Sequence, residues 1–219
     1  MTFRKAACLL PILILFFSTL CLAVPPALDD PLVFSLNPAE GQVGRQVLIT
    51  GVNFGTAPEV RFNGTLALID AYRPDMGRLV ATVPPGATTG PVTVRNTDSG
   101  ETSNPAPFTV LPGTLVPACT ILGNVTDPSV SPVPGALVVA VDPVAGLFGG
   151  IATTGGSGDY TLALPSTGNY ELHFIPPAGS IYHEERYPVT CPGVQDHQFA
   201  VGYQFYGRVI SDTAAPIPF

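Results

Sequence analysis

Lysine is almost absent. Of 219 residues only Lys5 is a lysine, so the Lys–Asn isopeptide bond that locks some surface sandwiches is chemically excluded everywhere downstream. Basic charge of any kind is sparse: beyond the first 23 residues seven arginines, scattered from Arg45 to Arg208, face sixteen Asp and Glu, a formal charge of 7 − 16 = −9. Phosphate backbones are bound by clustered Lys and Arg, so no nucleic acid is expected as a partner. Cysteine is limited to Cys8, Cys21, Cys119 and Cys191, with no C-x-x-C spacing and hence no redox motif. Apolar spacing at a helical period is missing as well, which excludes substantial helix outside the N-terminal segment.

One long apolar run exists, Ala6 to Leu20, interrupted by Pro11, preceded by Arg4 and Lys5 and followed by Cys21-Leu22-Ala23. A spanning helix needs roughly 20 apolar residues, and this shorter run ending in small residues has the layout of a signal peptide over residues 1–23. Retention as an anchor is the alternative. A lipoprotein reading of Cys21 fails on Leu20, where a small residue belongs. The mature chain is expected to carry no membrane span and to be secreted, periplasmic or displayed on the cell surface. In such an oxidising compartment the remaining pair, Cys119 and Cys191, reads as one disulfide, closing a loop worth about 4 kcal/mol of unfolded-chain entropy.

Glycine (23) and proline (25) are spread as punctuation between short runs of Val, Ile, Thr, Phe and Tyr. That pattern predicts many short strands joined by turns, an all-β sandwich architecture. Between Pro31 and Pro112 strands are expected at 32–36, 46–52, 59–63, 66–72, 78–83, 90–97 and 106–111. Asn63-Gly64 predicts a tight hairpin, because both turn positions tolerate positive φ.

The segments Asn37-Pro38-Ala39-Glu40-Gly41, Ile49-Thr50-Gly51, Asn53-Phe54-Gly55, Val83-Pro84-Pro85-Gly86-Ala87, Thr89 to Val94 and Asn104 to Val110 together resemble an IPT/TIG domain over 31–112. The resemblance implies an immunoglobulin-like sandwich of the kind found in cell-surface receptors, in some transcription factors and beside polysaccharide-acting catalytic domains. It implies no catalytic residue. After a linker at Leu111-Pro112-Gly113-Thr114, a second module at 117–201 resembles the carboxypeptidase regulatory-like, prealbumin-type sandwich. The residues that carry this resemblance are Gly123-Asn124-Val125-Thr126-Asp127, Pro132 to Val141, Gly158-Asp159-Tyr160-Thr161-Leu162, and Gly168-Asn169-Tyr170-Glu171-Leu172. In that frame Gly155 to Gly158 is a turn and Tyr160 and Tyr170 are core or half-core aromatics. A shift of 84 positions lays Gly123-x-Val125 on Gly207-x-Val209 and Pro132-Val133-Pro134 on Pro216-Ile217-Pro218. Residues 203–219 are therefore expected to open a second copy of that module, with more of it beyond Phe219.

The densest polar cluster is Tyr182-His183-Glu184-Glu185-Arg186-Tyr187. A zinc hydrolase motif needs two His one turn apart, and this stretch has one, so His183, Glu184, Glu185 and Arg186 are expected in a solvated loop available for binding. His173 and His197 stand elsewhere, and only folding decides whether they join His183. Ser157-Gly158-Asp159 lacks the helix and lysine of a phosphate loop. Asp127, Asp142 and Asp159 lack the alternating spacing of a calcium loop. No catalytic residue, metal site or cofactor is expected. Asn63-Gly64-Thr65 and Asn124-Val125-Thr126 fit the glycosylation sequon.

These readings converge on a non-catalytic secreted or surface protein for binding, adhesion or spacing, with a protein or glycan partner and Pro-rich joints holding the modules as an extended rod. The alternative is a set of accessory modules for a glycan-active enzyme or peptidase whose catalytic domain lies beyond Phe219.

Overall fold

The computed structural model describes residues 30–201. The leader and the repeat start at 203–219 lie outside the described residues. Among the described residues the chain is all-β apart from one 3-10 turn at Pro74–Met76.

The first sandwich contains β1 (Leu32–Asn37), β2 (Glu40–Val43), β3 (Gln46–Val52), β4 (Glu59–Phe62), β5 (Thr65–Leu66), β6 (Leu68–Arg73), β7 (Arg78–Thr82), β8 (Gly90–Arg95) and β9 (Ala106–Thr114). One sheet has the order β1-β3-β7-β6 and the other β2-β9-β8-β4-β5. Alternation writes the core directly: Val47 and Ile49 from β3, Val60 and Phe62 from β4, and Val92 and Val94 from β8 all point inward and are buried. Phe62 meets Phe108 edge to face at 5.0 Å. The Asn63-Gly64 hairpin forms as expected, with φ of 43° and 87° and Phe62 paired to Thr65. Two features went unread in the sequence. Strand β2 pairs parallel with β9, and Leu111 to Thr114, expected as a linker, continue β9 because their backbone has β2 to pair with.

The second sandwich contains β10 (Cys119–Thr126), β11 (Leu137–Val141), β12 (Phe148–Thr153), β13 (Asp159–Leu164), β14 (Gly168–Ile175), β15 (Glu185–Cys191), β16 (Gly193–Val194) and β17 (His197–Gln198). Its sheets run β12-β11-β14-β15 and β13-β10-β16, with β17 also on β10. Tyr170, Leu172 and Phe174 alternate inward along β14, and Tyr160, Leu162 and Leu164 complete the core from β13 and its end. Cys119 and Cys191 are joined by a disulfide, Cα atoms 5.9 Å apart. Gly123 is required where it stands. A Cβ there would run into the carbonyl of Gln195 as the last strands cross β10.

The two sandwiches are not strung out as a rod. The outward faces of their β3-β7-β6 and β12-β11-β14 sheets meet, burying Val80, Leu137, Phe148, Ile151 and Ile175 in one cluster flanked by Leu48, Ala71 and Val139. Each such side chain contributes about 1.5–3 kcal/mol on full burial. Polar contacts frame the cluster. Arg45 donates through both terminal nitrogens to the carbonyls of Phe148 and Gly149. Asn37 accepts from Phe148 N at 3.0 Å and donates to Gly146 O at 3.0 Å. Gln46 accepts from Ile151 N at 2.9 Å, and Arg73 donates to Pro176 O at 3.0 Å. The β12 edge, which would otherwise expose unpaired backbone, is thus covered by side chains of the first sandwich.

Candidate binding surface

The stretch expected as a loop is half strand. Glu185 and Arg186 open β15 because β14 offers them a ladder, with His173 opposite Arg186 and Phe174 opposite Glu185. Strand alternation then sends neighbours to opposite faces, so the four residues split into two groups.

On the outward face His173 is held between two carboxylates: its Nε2 lies 2.8 Å from Glu171 and its Nδ1 lies 3.2 Å from Glu184. Arg186 grips Glu184 through Nε and a terminal nitrogen, both at 3.1 Å, and approaches Glu171 at 3.8 Å. The Arg186 side chain is 59 % exposed, so this ridge presents a cation and carboxylate oxygens together. Such an array suits hydrogen bonding to a polar ligand.

On the other face Glu185 accepts from the Tyr187 hydroxyl at 2.6 Å and from Ala200 N at 3.1 Å, with His183 at 3.5 Å. Burial pushes the Glu185 carboxyl up, but these hydrogen bonds and the charges of His197 and His183 together hold it below its usual range. The bond to Glu185 and burial raise the Tyr187 pKa. His197 is buried, stacked on Phe174 at 4.2 Å, and its Nε2 has no hydrogen-bond partner. Burial lowers its pKa; Glu185 opposes this and His183 adds to it. His183 and His197 therefore share Glu185, whereas His173 belongs to the outward ridge. Among the described residues no group of three or more His, Cys, Asp or Glu is arranged to hold a metal ion.

The aspartates of the turns do structural work. Asp127 accepts from the amides of Ser129 and Ser131, Asp142 from those of Val144 and Ala145, and Asp159 from Asn124 and Ser157. Both sequon asparagines have engaged amides, Asn63 on Thr88 and Thr89, and Asn124 on Ser157 and Asp159.

Sequence reading missed a second surface. A groove of about 430 Å³ at the end of the first sandwich is lined by Phe34, Thr50, Val52, Asp75 and Met76. Phe34 is 62 % exposed, and a bulge between Val33 and Ser35 sits where it turns outward. Its only signal was its place beside inward-facing Val33.

Two family models match in sequence order, the IPT/TIG domain at residues 31–110 and the carboxypeptidase regulatory-like domain at residues 120–200. The chain carries an IPT/TIG domain followed by a carboxypeptidase regulatory-like domain. No curated protein matches it. Solved structures similar to it include a gamma-CGTase from alkalophilic Bacillus clarkii, at 22 % identity over 78 % of this chain and 28 % of that one, TM-score 0.35. Another is the major pilin subunit BcpA of Bacillus cereus, at 11 % identity over 79 % and 70 %, TM-score 0.31. A third is an auxiliary nutrient binding protein from Bacteroides thetaiotaomicron, at 14 % over 74 % and 46 %, TM-score 0.33. The chain thus spans about a quarter of the first of these. The His173 ridge belongs to the regulatory-like domain and the Phe34 groove to the IPT/TIG domain.

Proposed function

We propose that this chain is a non-catalytic, secreted or surface-displayed binding and spacing unit whose partner is a protein or a glycan. The observation that carries the reading is the interface between the two domains. An apolar cluster framed by Arg45, Asn37, Gln46 and Arg73 fixes one sandwich against the other, so loops and ridges more than 100 residues apart in sequence keep a set geometry. Fixed spacing between two exposed surfaces lowers the entropic cost of engaging a partner with both. The disulfide agrees with an oxidising compartment.

The test is binding of the purified chain to arrays of glycans, matrix proteins and cell-envelope fractions. Saturable binding that weakens at least tenfold in Arg186→Ala or Phe34→Ala supports the reading. Absence of binding above background across all three classes overturns it.

A further inference from the structure

We propose that the chain is built to carry tension between its two ends. This deepens the spacer reading, because only a unit held at both ends is pulled.

In each domain an N-terminal strand lies parallel beside the last strand. In the IPT/TIG domain Glu40, Gly41 and Val43 pair with Thr109, Val110 and Thr114. Thr109 N donates to Ala39 O at 3.0 Å and Leu115 N to Val43 O at 2.7 Å. In the regulatory-like domain Ile121 and Leu122 pair with Gly193 and Val194, and Val125 and Thr126 with His197 and Gln198. Gln195 N donates to Leu122 O and Phe199 N to Thr126 O, both at 2.9 Å. With parallel strands the chain enters at one end of the pair and leaves at the other. A pull on the ends acts along the strands, so the hydrogen bonds between them stretch together; a hairpin pulled at its open end breaks them one at a time.

The disulfide adds a covalent stop. It joins the first residue of β10 to the residue just before Pro192, so tension entering at Cys119 passes straight to Cys191. The 72 chain steps between them are out of the force path. Only residues 192–201 of the described second domain can then pay out, about 35 Å of chain, against about 250 Å more once the bond is reduced.

The experiment is single-molecule stretching of the full chain through handles at its two termini, with and without reductant. It is repeated with one handle moved to an insertion between Ser99 and Gly100. That turn neighbours the end where the chain enters the first domain, since Asn96 donates to Asn53 O and Asn104 to Val33 O, and a pull there peels β1 sideways. The expected result is that reductant lengthens the fully extended chain by about 250 Å. In addition, the IPT/TIG domain yields at a higher force end to end than from the turn. Removing the two donors in Thr109→Pro/Leu115→Pro should speed rupture under a fixed end-to-end load roughly thirtyfold. Equal rupture force in both directions, or an extended length indifferent to reductant, overturns the proposal. Neither outcome depends on whether any ligand binds, so its failure is separable from failure of the binding reading.

Discussion

The two sandwiches bury cores of similar make-up but close themselves differently. The IPT/TIG domain ends in β9, nine residues that pair with β2 on one side and β8 on the other. The regulatory-like domain ends in two fragments of two residues each, separated where Gln195 crosses over Gly123. A hydrogen-bonded strand therefore suffices for the first, whereas the second adds a disulfide and an aromatic plug. In that plug Phe174, His197 and Phe199 pack in sequence, and Tyr182 stacks on Phe199 at 5.5 Å. In the second domain covalent and aromatic closure stand in for a ladder the backbone does not complete.

Breaking the covalent side of that contrast has the largest expected effect. Reduction, or Cys119→Ser/Cys191→Ser, should cost the regulatory-like domain about 4 kcal/mol and leave the IPT/TIG domain unchanged, so that calorimetry resolves two transitions in place of one. Phe148→Ala, in the cluster between domains, should cost about 3 kcal/mol and separate the two transitions while the disulfide remains intact. Arg45→Ala removes the donors to Phe148 and Gly149 and is expected to cost about 2 kcal/mol, read as a partial separation in the same experiment.

The smallest effect concerns the plug. Burial lowers the His197 pKa from its ordinary value of 6.5, so as pH falls the unfolded chain takes up the proton first. The contribution to stability is complete above about pH 6.5 and is lost as pH drops from there through the lowered folded value. Denaturant melts of the regulatory-like domain should follow that course, and His197→Leu should flatten it over the same window while the carboxylate-driven decline at lower pH persists.

The strands of the first domain were legible because alternation and turn residues agree there. Gln46 to Val52 was read to the residue, and Asn63-Gly64 named its hairpin. Strand β2 was not legible, since Glu40-Gly41-Gln42-Val43 owes its strand conformation to β9, some seventy residues away. The same non-local pairing drew the expected linker into β9. The interface escaped for another reason. Leu48, Val80 and Val139 stand on positions that alternation assigns to solvent, and nothing local says that a second sandwich covers them. Of the polar stretch, residue type was readable but partition was not. Glu184 and Glu185 look equivalent in sequence, and only the register with β14 sends one to His173 and the other to Tyr187 and His183.

The shared apolar cluster should make the two domains move as one body. Nitrogen-15 relaxation of the full chain measures the tumbling of each domain directly. A single rotational correlation time shared by β3 and β14, splitting into two shorter ones in Val80→Asp, is the predicted result. Two independent, shorter times in the unsubstituted chain would contradict it.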